Sequence, residues 1–283
     1  MSAMKLAGVI GWPIAHSLSP ALHTYWLREM ALGGAYIPLA VRREDFARVL
    51  DSLRRAGFAG VNVTVPHKEA AFALADDVDE TARSAGAANL LLFGADGRIT
   101  ARNTDVEGLI ASLREEFDAT RLGDQPAVVL GAGGAARAAV LALDRLGALE
   151  IRLVARSKAK GETLSAALKP YVTAAVQVFA WQDWPQAANG AALLVNASGG
   201  GMAGGSRLDV AVEPLPAAAA VFDLIYNPLE TELMAKARAR GLRAINGLGM
   251  LMHQAVPAFA AFYGATPKVT PALRAALEKA LAP

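Results

Sequence analysis

The sequence predicts an α/β protein made of two consecutive series of strands and helices. Apolar segments of strand length, "KLAGVIG", "AYIPLAV" and "AGVNVTV", alternate with segments of helical periodicity such as "EDFARVLDSLRRAG". One face of that helix carries its apolar residues, Phe46, Val49, Leu50 and Leu53. A second series contains "PAVVLGAGG", "EIRLVAR", "AALLVNA" and "AAVFDLIY". This alternation favours mostly parallel sheets covered by helices, and the Gly, Asp and Pro of residues 120–126 predict the seam between the two series.

Composition and charge exclude several classes of protein. The chain has 283 residues, 54% of them hydrophobic, which is enough to build the cores of two domains. Its net charge of +2 is dispersed, so the basic stripe of a nucleic-acid-binding protein is absent. Without cysteine there are no disulfides, thiolate nucleophiles or cysteine-ligated metals. The N-terminal segment lacks the features of a signal peptide, and no apolar run is long enough to cross a membrane. We therefore expect a soluble, cytoplasmic protein that binds neither nucleic acid nor membranes.

A glycine-rich loop opens the second series. In "VVLGAGGAARAAVLALDRLG", Gly131, Gly133 and Ala136 have the G-x-G-x-x-A spacing of a Rossmann-type dinucleotide site. Such a loop turns tightly, lets the backbone approach a pyrophosphate and presents a helix N-terminus to the phosphates. A tight α/β turn without a ligand and an S-adenosylmethionine site remain alternatives. The candidate cofactor-binding residues in the loop are Gly131, Ala132, Gly133, Gly134 and Ala135.

The end of the next strand indicates which dinucleotide binds. A site for NAD usually has an acidic residue there for the ribose hydroxyls, whereas this chain has Ala155, Arg156, Ser157 and Lys158. Because arginine presents a planar fork to phosphate oxygens, these residues favour the 2′-phosphate of NADP. Lys158 alone is better explained as a solvated charge at the start of a helix.

The segment "GVNVTVPHKE" carries a candidate catalytic lysine. Its alternation predicts a strand that runs to Val65, with Asn62 and Thr64 on one face. Pro66 suits the first turn of a following helix and leaves Lys68 just beyond the carboxyl end of the strand, where open α/β sheets bind ligands. A lysine at a helix start is unfavourable against the helix dipole, so we expect another group to compensate its charge.

A second polar cluster, "ARNTDVEGLIASL", places Asn103, Thr104 and Asp105 before an amphipathic helix. In isolation the motif indicates only that Thr104 or Asp105 caps that helix. The spacing of the four histidines fits no local zinc motif, so we expect packing or supporting roles for them and no metal site. These histidines are His16, His23, His67 and His253.

Seven motifs taken together resemble the shikimate dehydrogenase family, in order and over almost the whole chain. They are "GWPIAHSLSPALH", "GVNVTVPHKE", "GAANLL", "NTDVEGL", "GAGGAARA", "DLIYNPLETEL" and "NGLGMLMHQA". The resemblance implies an N-terminal α/β substrate domain at residues 1–104, rejoined by C-terminal helices at residues 248–283. A Rossmann-type NADP-binding domain would occupy residues 105–247, with the active site in the cleft between the two domains.

The resemblance also implies the reaction, which is the NADP-dependent interconversion of 3-dehydroshikimate and shikimate in the chorismate pathway. Lys68 is then the general acid of reduction and the general base of oxidation, and Asp105 orients it and binds a substrate hydroxyl. Ser17 and Ser19 would bind the substrate carboxylate, although the same serines also fit an S-x-S-P turn that caps a helix near Pro20. The other substrate contacts that the resemblance implies are Thr64, Asn89, Tyr226 and Gln254. Its further cofactor contacts are Asn196, Ala197, Ser198, Gly247 and Met250.

The chain departs from the family pattern at Thr24, Leu90, Val106 and Gly199. Leu90 lacks a hydroxyl and Val106 adds a branched side chain, which favours weaker discrimination between ring acids or a changed preference; the alternative is that these positions only support the site. We expect shikimate to remain a substrate, with a raised KM. A relative acting on quinate or another hydroxylated ring acid is therefore an alternative. Two others are an enzyme of the methylenetetrahydrofolate dehydrogenase type, disfavoured by the serine pair, and a non-catalytic NADP sensor, disfavoured by Lys68 with Asp105. The expected partner is a small ring acid, and a homodimer is left open.

Overall fold

A computed structural model describes residues 4–281 of the chain. These residues form two compact units, the first made of residues 4–105 and 251–281 and the second of residues 106–250. The seam predicted at residues 120–126 is wrong, because that segment lies inside the second unit. Its Gly, Asp and Pro mark only the end of a short 3₁₀ helix, Ala119–Gly123, and the approach to the next strand.

The first unit contains a six-stranded sheet in the order β2-β1-β3-β5-β6-β4. Strands β1, β2 and β3 are parallel to one another, whereas β5 is antiparallel to both β3 and β6. Pro38 is accommodated because β2 is an edge strand, where one missing backbone donor is tolerated. The elements are β1 (Lys5–Gly11), α1 (Ser19–Glu29), β2 (Gly34–Ala40), α2 (Phe46–Arg55), β3 (Phe58–Val63), α3 (Lys68–Ala73), β4 (Asp77–Val78), α4 (Glu80–Ala85), β5 (Leu90–Phe93) and β6 (Ile99–Arg102).

The second unit contains a parallel six-stranded sheet in the order β12-β11-β10-β7-β8-β9. This is the doubly wound Rossmann order, with the strand order reversing between β7 and β10. The two-part α/β fold class is therefore confirmed. The elements are α5 (Asp105–Glu116), β7 (Ala127–Leu130), α6 (Gly134–Arg145), β8 (Glu150–Ala155), α7 (Lys158–Leu168), β9 (Ala175–Ala180), α8 (Trp184–Ala188), β10 (Leu193–Asn196), β11 (Ala220–Asp223), α9 (Glu232–Ala239) and β12 (Arg243–Ile245).

Two further helices follow β12, namely α10 (Leu248–Tyr263) and α11 (Pro271–Leu281). From Leu251 onward they belong to the first unit. Within residues 4–281, none of the helices combines the length and the apolar character needed to span a membrane.

The apolar periodicity of α2 is explained by the core of the first unit. Phe46 and Leu50 are buried in a cluster with strand residues of β1 and β3, and Val49 and Leu53 pack against the same cluster. A second group of buried rings surrounds His23, whose imidazole stacks on Tyr36 with 3.9 Å between ring centroids. Burial lowers the pKa of His23 to about 3, so this ring is neutral at physiological pH.

The strand predicted through Val65 ends earlier, at Val63. Val65 is 68% exposed rather than facing the core, because the chain turns where the Thr64 carbonyl accepts a hydrogen bond from the His67 amide at 2.9 Å. The position predicted for Pro66 is also wrong, since α3 begins only at Lys68. The turn nevertheless leaves Lys68 at the first position of its helix, beyond the carboxyl end of β3.

Candidate active site

An ion pair joins the two residues predicted to carry the chemistry. Lys68 Nζ lies 2.5 Å from Asp105 Oδ2, and the two side chains are 27% and 12% exposed. Lys68 begins α3 and Asp105 begins α5, so the α5 dipole favours the carboxylate while the α3 dipole opposes the ammonium group. The compensating group expected for Lys68 is therefore present. A shielded proton donor beside a fixed carboxylate is suited to proton transfer.

Asn89 connects this ion pair to the C-terminal helices. Its Nδ2 lies 2.8 Å from Asp105 Oδ1, 2.9 Å from Thr104 Oγ1 and 3.1 Å from Gln254 Oε1. The backbone amide of Thr104 donates to Asn89 Oδ1 at 2.8 Å, which fixes the orientation of the Asn89 amide. One hydrogen-bonded cluster therefore holds Lys68, Asp105, Asn89 and Gln254.

Asn103 contacts the backbone at the start of α5. Its Oδ1 accepts a hydrogen bond from the Asp105 amide at 3.0 Å. Asn103 Nδ2 donates to the Ala87 carbonyl at 2.9 Å, so this buried side chain is held at both ends. The Asp105 carboxylate itself accepts from Lys68 and Asn89.

The two serines lie at the start of α1. Ser17 Oγ accepts a hydrogen bond from the Ser19 amide at 3.3 Å, which is the turn considered as an alternative to substrate binding. This contact engages the Ser17 oxygen as an acceptor and leaves its hydroxyl proton available. Thr64 is half-buried in the turn after β3, and Tyr226 belongs to the second unit, after β11. The substrate roles of these four residues stay predictions.

His67 has a packing role in the first unit. His67 is buried, its ring stacks on Phe46 with 4.6 Å between centroids, and its Nε2 lies 2.8 Å from the Val41 carbonyl oxygen. Over residues 4–281, histidine, aspartate and glutamate form no group of three or more that could hold a metal ion.

The glycine loop of the second unit has the geometry that a dinucleotide requires. Gly131 has a φ of 117°, and a Cβ built there would lie 3.0 Å from the Ala197 carbonyl oxygen. A Cβ at Gly133 or Gly134 would instead point into open space. Gly133 precedes the twelve-residue helix α6 with no side chain capping its first amides. The loop therefore leaves both space and unpaired backbone donors for phosphate oxygens.

A cavity of about 740 Å³ lies beside this loop, at the point where the strand order reverses. Eight predicted cofactor residues line it, namely Gly131, Ala132, Gly133, Ala155, Arg156, Ser157, Ala197 and Ser198. The other six predicted residues are not part of its wall, namely Gly134, Ala135, Lys158, Asn196, Gly247 and Met250. The sequence analysis missed Lys160, Trp181 and Arg207, which also line the cavity.

Three cationic residues line the cavity, namely Arg156, Lys160 and Arg207. Arg156 and Lys160 are exposed, and among the described residues neither has a carboxylate partner, so both charges are available to a phosphate. Arg207 differs, because it forms two hydrogen bonds to Glu232, at 2.6 and 2.8 Å. That contact lowers the pKa of Glu232 to about 2. Lys160 lies in the first turn of α7, close to the predicted Arg156 and Ser157, whereas Trp181 and Arg207 carry no local signal.

Asn196 contacts Ser198, a residue of the cavity wall, without lining the cavity itself. The side chain is fully buried, with Nδ2 donating to Asp223 Oδ1 at 2.9 Å and Oδ1 accepting from the Ser198 hydroxyl at 2.7 Å. Burial raises the pKa of Asp223, while hydrogen bonds from Thr231 and the Ile225 amide oppose that rise. Asn196 therefore orders the loop that carries Ala197 and Ser198.

The doubly wound sheet, the open glycine loop and the free cations define the second unit as a Rossmann-type dinucleotide-binding domain. The family model of the shikimate dehydrogenase substrate binding domain matches residues 9–91. The NADP-dependent shikimate dehydrogenase of Paramagnetospirillum magneticum is 48% identical over 271 residues, covering 96% of this chain and 97% of that protein. The chain belongs to the shikimate dehydrogenase family.

Two solved structures extend this comparison. Shikimate 5-dehydrogenase from Thermus thermophilus, in complex with NADP(H) and shikimate, has a TM-score of 0.84 and 34% identity, with 98% of each chain covered. Quinate dehydrogenase from Corynebacterium glutamicum, in complex with NAD, has a TM-score of 0.87 and 30% identity, covering 98% of this chain and 99% of that one.

Proposed function

We propose that this protein interconverts 3-dehydroshikimate and shikimate with NADP as its cofactor. The observation that carries the proposal is the cluster of Lys68, Asp105, Asn89 and Gln254, in which a shielded lysine is paired with a carboxylate and flanked by two amides. Family membership supports the same reaction, because the related protein of Paramagnetospirillum magneticum is named for it.

The first unit supplies the polar groups that a hydroxylated ring acid needs. We assign the carboxylate of the substrate to Ser17 and Ser19, because hydroxyl groups donate to a carboxylate without adding charge. Thr64, Asn89 and Gln254 are assigned to the ring hydroxyls, since amide and hydroxyl groups both donate and accept.

The second unit supplies the cofactor site. We propose that Gly133 and the first turn of α6 hold the pyrophosphate and that Arg156, Ser157 and Lys160 hold the 2′-phosphate. The strand β8 ends at Ala155, where an NAD-binding domain usually has an acidic side chain for the ribose. When bound, reduced NADP supplies the hydride that reaches the carbonyl carbon.

Lys68 and Asp105 manage the proton that accompanies this hydride. In the reduction, the oxygen of the ketone gains negative charge, and protonated Lys68 donates a proton from Nζ to it. In the oxidation, neutral Lys68 accepts the proton of the substrate hydroxyl group. Asp105 holds Nζ at 2.5 Å and offsets the repulsion between the ammonium group and the α3 dipole. Asn89 keeps Asp105 in this orientation through Oδ1.

The direct test follows NADPH absorbance with purified protein, using shikimate, quinate and a carboxylate-free cyclohexane triol side by side. We expect oxidation of shikimate with NADP at the highest kcat/KM. Preference for quinate would favour the second candidate function, which the similarity to a quinate dehydrogenase also motivates. Binding of NADP without turnover of any ring acid would instead support the sensor hypothesis.

A homodimer stays a prediction, tested by sedimentation at assay concentrations.

Gly133→Ala is expected to raise the KM for NADP by about tenfold or more while leaving the melting temperature unchanged. The added methyl group enters open space in the protein but occupies the approach of the pyrophosphate. Gly131→Ala is the matched control, because its φ of 117° and the nearby Ala197 carbonyl predict a loss of stability as well. An unchanged KM for NADP in Gly133→Ala would contradict the placement of the phosphates.

Leu90→Thr is expected to destabilise the protein without changing the ratio of shikimate to quinate activity. Leu90 is 0% exposed, so the substitution removes buried methyl groups and introduces a buried hydroxyl, at a cost of about 2–4 kcal/mol in the free energy of unfolding. Val106 is equally buried, so neither departure from the family pattern presents its side chain to solvent. Urea denaturation and paired kcat/KM measurements test this, and a shifted ratio would restore Leu90 as a specificity residue.

A further inference from the structure

A buried hydrogen-bonded chain in the second unit leads from β11 to the wall of the cofactor cavity. Asp223 ends β11 and is fully buried, and its Oδ1 accepts a hydrogen bond from Asn196 Nδ2 at 2.9 Å. Asn196 Oδ1 accepts in turn from the Ser198 hydroxyl at 2.7 Å and from the Ser198 amide at 3.1 Å. Ser198, Gly199 and Gly200, here called the Ser198–Gly200 loop, line the cavity. Asp223 is therefore connected to the cavity wall through a single side chain.

The Ser198–Gly200 loop has little stiffness of its own. Two of its three residues are glycines, the residue type with the most conformational freedom to lose on ordering. A Cβ built at Gly199 would lie in open space, so side-chain packing does not fix that position. Hydrogen bonds fix the loop instead, because Asn196 Nδ2 also donates to the Gly200 carbonyl at 3.2 Å and the Gly200 amide donates to Ser198 Oγ at 3.3 Å. The order of the loop thus depends on Asn196, the side chain that Asp223 holds.

Asp223 is itself held in one position. Its Oδ1 also accepts from the Ile225 amide at 3.1 Å, and its Oδ2 accepts from the Thr231 hydroxyl at 2.7 Å. Thr231 Oγ1 accepts from the Met234 amide at 3.3 Å and so caps α9, which fixes the hydroxyl group that meets Asp223. A buried carboxyl group that accepts three hydrogen bonds is a rigid anchor for Asn196.

The Ser198–Gly200 loop also borders the glycine loop of the cofactor site. A Cβ built at Gly131 would lie 3.0 Å from the Ala197 carbonyl oxygen and 3.2 Å from the Ser198 amide nitrogen, so the two loops are in close contact. Movement of the Ser198–Gly200 loop would therefore change the shape of the cavity beside Gly131. A binding site needs its wall held in the productive geometry by residues behind that wall.

We propose that Asp223 is a positioning residue for the cofactor, which orders the Ser198–Gly200 loop through Asn196 before NADP binds. This inference rests on the part of the proposed function that places NADP in the cavity beside Gly131. A protein whose loop is ordered in only a fraction of its molecules loses affinity in proportion to that fraction. Removal of the anchor is therefore expected to weaken cofactor binding, although no group of the cavity wall is removed.

The first experiment compares Asp223→Ala with the wild type in the absence of turnover. Hydrogen–deuterium exchange of the NADP-free protein should be faster at the Ser198 and Gly200 amides, because the acceptors of both amides are no longer held in place. Calorimetric titration with NADP should give a Kd raised by about tenfold, the result of a loop that is ordered in about a tenth of the molecules. Unchanged exchange at these two amides, or an unchanged Kd, would overturn the inference.

Steady-state kinetics with shikimate provide a second measurement on the same variant. The KM for NADP should rise by about tenfold, while kcat at saturating NADP stays within about threefold of the wild type. The split arises because the loop is ordered whenever the cofactor is bound. A fall in kcat with an unchanged KM for NADP would contradict the proposal.

Thr231→Val is the matched control. It removes the hydrogen bond on the other carboxyl oxygen of Asp223 together with the cap of α9, but it leaves the contact between Asp223 and Asn196 in place. The control should lower the melting temperature by about 2–4 °C or more, with no change in loop exchange or in the Kd for NADP. Equal rises of the Kd in Thr231→Val and Asp223→Ala would show that Asp223 has only a structural role.

Asp223→Asn is the conservative variant and should rescue the loop. Asparagine keeps one acceptor oxygen for Asn196, and its amide group can donate to the Thr231 hydroxyl oxygen. Most of the affinity lost in Asp223→Ala should therefore return. A Kd as high as that of Asp223→Ala would contradict the route through Asn196.

A double-mutant cycle with Ser198→Ala tests the loop as the route. If Asp223 acts through the Ser198–Gly200 loop, the two substitutions raise the Kd for NADP by less than the product of their separate effects, whereas full additivity would contradict the inference. Should Asp223→Ala fail to fold, Asp223→Ser takes its place with the same expected outcomes. Its short side chain leaves room for water beside the same donors but does not reach Asn196.

Failure of this inference is distinguishable from failure of the proposed function. A wild type that binds NADP but oxidises no shikimate overturns the proposed reaction, while amide exchange and the Kd for NADP still test Asp223 because neither needs a substrate. A wild type that oxidises shikimate, with exchange and Kd unaffected in Asp223→Ala, overturns only the role of Asp223.

Discussion

Lys68→Met is expected to lower kcat for shikimate oxidation by about 10²–10⁴-fold, the usual effect of removing a positioned general acid and base. Methionine keeps most of the length and apolar volume of the lysine but cannot carry a proton. Because Ser17, Ser19 and Gln254 would still bind the substrate, the KM should change much less than kcat. Steady-state kinetics at saturating NADP measure both parameters.

Lys236→Met provides the matched control for this variant. Lys236 Nζ pairs with Glu232 at 3.0 Å, and its side chain is 34% exposed compared with 27% for Lys68. The control therefore removes a lysine of similar exposure from a similar ion pair, and its kcat should stay within about twofold of the wild type. If Lys68→Met retained more than a third of wild-type kcat, Lys68 would not be the proton donor.

The fold was largely predictable because its signals are local. Strand-length apolar runs separated by amphipathic helices require only the periodicities of the two backbone conformations, and the α2 face of Phe46 and Leu50 illustrates this. The predicted domain boundary failed because its local sequence signal fits more than one structure. The cluster of Gly, Asp and Pro at residues 120–126 marks a turn, but whether a turn separates domains depends on which residues pack together.

The site was predictable only where residues fall within a recognisable motif. The pairing of Lys68 with Asp105 joins residues 37 positions apart, and only the family resemblance, not the pattern of either motif alone, predicted it. Asn103 belongs to the same motif, but only Thr104 and Asp105 were considered as capping residues there. Residue type alone does not single out Asn103, since all three side chains carry oxygens that accept from a backbone amide.

Site residues that lie outside the quoted sequence motifs could not be predicted from the sequence pattern. Trp181 and Arg207 reach the cofactor cavity from segments with no phosphate-binding pattern. Such contacts depend on sheet order and register, which the sequence pattern does not determine.

Arg156→Ala is expected to raise the KM for NADP by about 10–100-fold and to change the KM for NAD by less than about twofold. Only NADP carries the 2′-phosphate, and a charge-assisted hydrogen bond from a guanidinium group is worth more than a neutral one. Arg156 suits this role because it lines the cavity, is exposed, and has no carboxylate partner among residues 4–281. Kinetics with both cofactors, at constant ionic strength, measure the two effects.

Lys158→Ala is the control for this last variant, because Lys158 is an exposed cation two residues away that does not line the cavity. It should change the KM for NADP by less than about twofold, since a solvated charge at this distance is screened.

Lys160→Ala, which removes a cation from the cavity wall, should raise the KM for NADP selectively, as Arg156→Ala does. Equal losses for NADP and NAD in Arg156→Ala would place its guanidinium beside the part of the dinucleotide that both cofactors share. In that case the preference for NADP would have to come from Ser157 and Lys160, and the double variant of those two residues would show it.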